Sequence, residues 1–178
     1  MIPRWGQWKS RGSVFVVLLA IAVSGTSNVS AQTNEETARK FQGTWRLVSW
    51  FQRLADGTTR QAPNSVGYII YTDTGHMCYV GMNPNRPKWK TTTPTESEAI
   101  SGIVGLGAYC GSVEVHAKEG YVLHHVEIER VPNNVGVVRK RWFAFEGTNR
   151  VMLTVDSPEL IPPIVESILT WERVGSSQ

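Results

Sequence analysis

Apolar and polar residues alternate along this chain in short runs, and turn chemistry separates many of them. Residues 45–52 are followed by Ala55-Asp56-Gly57, and residues 67–72 by Asp73-Thr74-Gly75 leading into 76–82. Further runs occupy 108–116, 121–131, 137–145, 150–155 and 168–174. A period of two sends successive side chains to opposite faces, and Gly-containing turns between such runs join antiparallel neighbours. The count is eight, at which an up-and-down sheet closes on itself and leaves room for one small ligand. The expected fold is all-β, an eight-stranded antiparallel up-and-down barrel.

Two helices are expected beside the strands. Residues 32–42 read as a short N-terminal helix, with Thr33 as N-cap, Glu36 as its capping-box partner and Phe41 as the first apolar anchor. Between the third and fourth strands, Asn83-Pro84-Asn85-Arg86-Pro87 is loop chemistry. Thr93-Pro94-Thr95-Glu96 then supplies an N-cap, a Pro at the first helical position and a capping-box Glu. The helix that follows carries Ile100, Ile103 and Val104 at helical spacing, to lie against the barrel as a lid or as a packing element. Residues 157–163 contain Pro158, Pro162 and Pro163, which bar regular pairing before the last strand.

The first 31 residues read as an export signal. Arg4, Lys9 and Arg11 are basic, residues 14–23 are an uncharged apolar run, and Val29-Ser30-Ala31 offers small residues for cleavage before Gln32. The run is well short of the ~20 residues that span a bilayer, so no integral membrane span is expected after cleavage. The expected organisation is a signal peptide over 1–31, a lead-in over 32–42, a barrel domain over 43–174 and a tail over 175–178, in a periplasmic or secreted protein. Charge follows from this division. Of eighteen Lys and Arg residues three lie in the signal, and the remaining fifteen balance fifteen Asp and Glu. A formally neutral mature chain gives no reason to expect a nucleic-acid partner.

Hairpin geometry assigns faces. With Asp73-Thr74-Gly75 as the turn, Tyr71 faces Met77 and Ile69 faces Tyr79 on the inner side, and His76, Cys78 and Val80 take the outer. The same alternation puts Tyr109, Gly111, Val113 and Val115 inside and Cys110 outside. Cys78 and Cys110 then share one face of neighbouring strands, where a disulfide is possible in an oxidising compartment. On the fifth strand Val122, His124, Val126 and Ile128 point inward, and His125, Glu127 and Glu129 outward. His76 and His116 also fall outside. On the sixth strand Arg139, Arg141, Phe143 and Phe145 alternate with Lys140, Trp142 and Ala144.

Gly43-Thr44-Trp45 and Trp171-Glu172-Arg173, at the two ends of the strand series, resemble the closure of the calycins, the lipocalins and fatty-acid-binding proteins. Trp45 would plug the barrel floor, with Arg173 from the last strand lying on its indole face. Residues 67–77, Gly-Tyr-Ile-Ile-Tyr-Thr-Asp-Thr-Gly-His-Met, and Val122-Leu123-His124-His125-Val126-Glu127 resemble more specifically the bacterial and fungal lipocalin-like domain family, over roughly 41–174. The resemblance implies a lipocalin-like barrel and favours Arg141, Phe143 and Phe145 as the inward set of the sixth strand. An inward Arg needs a carboxylate, carbonyls or an anionic ligand.

The expected function is an exported binding module. Tyr71, Met77, Tyr79, Phe143 and Phe145 would surround a small, mostly hydrophobic molecule whose polar end meets His124 and Arg141. Two alternatives accompany it. One is an isomerase or cyclase of a small hydrophobic substrate, with His124 as acid or base and Arg141 as anion stabiliser. The other is a haem-binding barrel with His124 as axial ligand. The sequence contains no HExxH, Gly-x-Ser-x-Gly, phosphate-loop or paired-carboxylate motif, so no catalytic residue, metal or cofactor is expected.

Overall fold

The computed structural model describes residues 25–62, 65–156 and 159–175, with side chains from residue 31 onward. The charged and apolar segments of the expected signal, residues 4–23, lie outside the described residues, as do residues 176–178 of the tail. The chain runs α1 (Gly25–Phe41), β1 (Gly43–Leu54), β2 (Thr59–Gln61), β3 (Val66–Tyr71), β4 (His76–Met82), α2 (Glu96–Val104), β5 (Leu106–His116), β6 (Tyr121–Glu129), β7 (Val138–Glu146), β8 (Arg150–Asp156) and β9 (Ile164–Arg173).

Every sequential pair from β3 to β9 is antiparallel, and β1 joins β3 on one side and β9 on the other. The sheet therefore closes as an eight-stranded barrel of β1 and β3–β9. The ninth strand, β2, pairs only with residues 51–53 of β1 and extends the wall at one end. Because β2 precedes the 67–82 hairpin, the inter-strand helix lies between β4 and β5 rather than between a third and a fourth strand.

Closure depends on Gly43, Trp45 and Arg173. Gly43 adopts φ +117°, and a Cβ there would lie 2.8 Å from Arg173 Nη1. Only glycine takes that turn cheaply. Trp45 pairs with Arg173 across the β1–β9 seam and is fully buried. The Arg173 guanidinium sits 4.1 Å from the Trp45 ring centroid and donates to the carbonyls of Lys40, Gln42 and Thr148. Trp45 Nε1 in turn donates to Phe41 O at 2.6 Å, so the end of α1 is fastened to the floor. Phe41 packs there on Tyr71, Phe143 and Phe145, with centroids 4.8–5.1 Å apart.

Both helices differ from the sequence expectation. The first begins at Gly25, which leaves Thr33 in the helix interior rather than at an N-cap. The second is capped by Thr95, not Thr93, because Thr95 and Glu98 form a complete capping box while Glu98 also accepts from Lys90 N. Ile100, Ile103 and Val104 are 57, 52 and 74% exposed, so α2 does not bury that face on the barrel. It rests instead on the preceding loop, where Trp89 Nε1 donates to Glu98 O and Arg86 to Gly102 O.

Candidate functional site

The interior is set by strand register. In the β3–β4 hairpin Ile69 pairs with Tyr79 and Tyr71 with Met77, and Tyr79 then pairs with Tyr109 of β5. Cys78 pairs with Cys110 on the outer face and is joined to it by a disulfide. The β5–β6 pairing carries a bulge, since Cys110 faces Ile128 while Gly111 faces Val126. Gly111 permits it: a Cβ there would stand less than 2 Å from the backbone oxygen of His125.

That bulge corrects the expected faces of β6. An extra residue in one strand reverses the alternation beyond it. Ile128, expected inside, is 67% exposed, whereas the Glu129 side chain, expected outside, is 6% exposed. Glu129 meets Arg139 Nη2 at 2.9 Å, and the Arg139 guanidinium lies 4.8 Å from the Tyr109 ring centroid. An acid and a base that alternation alone would separate thus form an ion pair.

His124 is fully buried between two tyrosines, with Tyr71 Oη 3.1 Å from Nε2 and Tyr109 Oη 3.0 Å from Nδ1. Burial pushes its imidazole well below the ordinary histidine range, and the nearby guanidiniums of Arg141 and Arg139 push it the same way. Burial also holds the Tyr71 and Tyr109 hydroxyls above the ordinary tyrosine range. The three groups are neutral, so across a neutral imidazole one tyrosine donates and the other accepts. Such a chain can pass a proton along itself, and only Tyr109 of the three also lines the cavity.

Arg141 is buried and paired. Its Nη1 donates to Glu159 Oε2 at 2.8 Å and to Lys140 O at 2.6 Å. Glu159 Oε1 accepts from the Lys140 backbone N–H at 3.1 Å, so its carboxylate is fixed by two donors. Sequence reasoning missed Glu159. It lies in the proline-rich connection before β9, where no periodicity assigns a face; the unmet need of an inward Arg141 for a carboxylate was the one available signal.

A cavity of about 200 Å³ opens at the barrel end away from Trp45. Ile69, Leu153, Val155, Leu169 and Trp171 give it apolar walls, and Tyr79, Tyr109, Arg139, Arg141 and Glu159 its polar side. Of the expected ligand-contacting residues, Tyr79 and Arg141 line this space. Tyr71, Met77, Phe143 and Phe145 do not; they pack with Phe41 in the core, and His124 stands between the two groups. The difference arises because α1 inserts Phe41 into the end of the barrel that alternation alone would leave hollow.

Size decides which molecules fit. A cavity of roughly 150 Å³ admits a benzene ring, so about 200 Å³ holds a molecule of about ten non-hydrogen atoms. Haem does not fit: it is several times larger, and both ring nitrogens of His124 are hydrogen-bonded to tyrosines. Among the described residues no helix is long and apolar enough to cross a membrane.

A closed antiparallel barrel with a plugged floor and a part-apolar cavity at the opposite end is the architecture of a lipocalin-like β-barrel. The sequence profile of the lipocalin-like domain family matches residues 42–174, and the chain belongs to that family. No curated protein matches the chain.

Proposed function

We propose that this protein is exported, with its mature chain starting at Gln32, and holds one small, mostly apolar molecule in the cavity above Trp171. The observation that carries the reading is the mixed lining of the cavity: Ile69, Leu153, Val155, Leu169 and Trp171 are apolar, whereas Tyr79, Tyr109, Arg139, Arg141, Glu159 and Ser167 bring polar groups. Polar groups set against apolar walls orient a ligand while its apolar part is buried. Native mass spectrometry of the protein from its own host tests the binding reading, with a retained molecule of about ten non-hydrogen atoms as the expected result. Failure to retain or take up any molecule of that size overturns it. N-terminal sequencing tests export separately, and exported material beginning at Met1 overturns that part.

A second reading, an isomerase or cyclase, has one observation in its favour. Tyr109 lines the cavity with its hydroxyl backed by His124, so it is better placed than His124 to give a proton to a substrate oxygen. Recovery of the bound molecule chemically unchanged after prolonged incubation argues against this reading and leaves the binding module.

A further inference from the structure

We infer that Glu159 sets the charge of the ligand: the cavity takes an uncharged molecule with a carbonyl-type acceptor and rejects its carboxylate counterpart. The inference rests on the reading of the cavity as a binding site and narrows the class of molecule it holds. Both cations on the wall are already neutralised, Arg139 by Glu129 at 2.9 Å and Arg141 by Glu159 at 2.8 Å. Glu159 is held a second time by the Lys140 N–H, so it is a fixed part of the wall. A ligand carboxylate placed on Arg141 would face the Glu159 carboxylate within a few ångströms, and the two like charges would repel.

Two donors of the same wall residues nevertheless lack acceptors. Trp171 is 2% exposed and lines the cavity, and the protein supplies no hydrogen-bond partner for its Nε1. Arg139, also on the wall, has a buried Nε in the same state. Buried donors without acceptors are costly, and a ligand oxygen that reaches them through a small side-chain adjustment relieves the cost. A ketone, lactone, amide or quinone oxygen supplies that acceptor without adding a negative charge beside Glu159.

Acetophenone and benzoate test this directly, because they share one shape and differ in a methyl group against a charged oxygen. By isothermal titration at neutral pH, the wild-type protein is expected to bind acetophenone at least about tenfold more tightly than benzoate, from the repulsion between neighbouring carboxylates. Glu159→Gln keeps an oxygen for Arg141 and removes the charge. It is expected to raise benzoate affinity by at least about tenfold relative to acetophenone, with the melting temperature read alongside. The Trp171 indole N–H resonance, assigned with Trp171→Phe, should move downfield on acetophenone binding as it gains an acceptor. Equal or tighter wild-type binding of benzoate overturns the inference and leaves the binding reading standing, as does an unchanged preference in a folded Glu159→Gln protein. If neither probe binds either protein and no other molecule of this size does, the binding reading itself fails and the inference with it.

Discussion

The Tyr109 hydroxyl stands 3.0 Å from Nδ1 of His124, and with Tyr71 on Nε2 it leaves the imidazole no nitrogen for solvent or ligand. Burial favours the neutral ring in the folded state, and so lowers its folded pKa. Below about pH 6.5, the ordinary histidine value, the unfolded chain takes up a proton that the folded chain refuses. The stability this group contributes is therefore complete above about pH 6.5 and lost as pH falls toward the folded value, at about 1.4 kcal/mol per pH unit. Urea denaturation between pH 7 and pH 5 should show that slope, and His124→Gln should flatten it. An equal slope in both proteins would assign the titration to other groups.

Trp45 and Trp142 offer a paired test of the faces. Trp45 is fully buried beneath Arg173, whereas Trp142 lies on the outer wall with Lys140 Nζ 3.7 Å from its ring and its Nε1 on Asp156. Trp45→Ala should cost about 3–5 kcal/mol and Trp142→Ala much less. Denaturation midpoints that fall equally would mean that the floor is not packed around Trp45.

The register of the 67–82 hairpin is legible in the sequence because a short Gly-containing turn and strict alternation leave one pairing open. The faces of β6 beyond Val126 are not, since the bulge depends on how closely the backbone of His125 approaches Gly111, a relation between strands that periodicity within one strand does not carry. Arg141 is legible as an inward cation, but its partner is not. Glu159 arrives from an aperiodic loop, and only the closed barrel brings residues 141 and 159 together. The division of the interior into floor and cavity is likewise set by α1, whose Phe41 fills space that the strands alone leave empty.

Arg141 and Glu159 should behave as one unit in a double-mutant cycle. Arg141→Leu leaves Glu159 without its cation, at an expected cost of about 1.5–3 kcal/mol. Combining it with Glu159→Leu should cost less than the sum of the two single changes, because the double variant leaves no buried Arg141 without its carboxylate. A double variant as destabilised as the sum of the two single changes would show the pair to be uncoupled.

The disulfide joins residues 32 apart in sequence on two adjacent strands. A loop of that length restricts the unfolded chain by roughly 3–4 kcal/mol in the chain-entropy account. Replacing both cysteines with serine should lower the denaturation midpoint accordingly, and reductant should do the same to the wild type but not to the variant. Two free thiols titrating in the unfolded, unreduced protein would contradict the bond.

Phe41 lies one residue before the segment shared with the family, yet it is among the most buried side chains of the protein and its carbonyl receives Trp45 Nε1. The folded unit therefore includes residues ahead of the matched segment. A fragment cut at the family boundary keeps every strand of the barrel and loses its stopper, exposing the rings of Tyr71, Phe143 and Phe145 to water at a second opening. Such a fragment would keep Trp45 in the floor but expose apolar surface that the full chain conceals, and so would aggregate where the full chain does not.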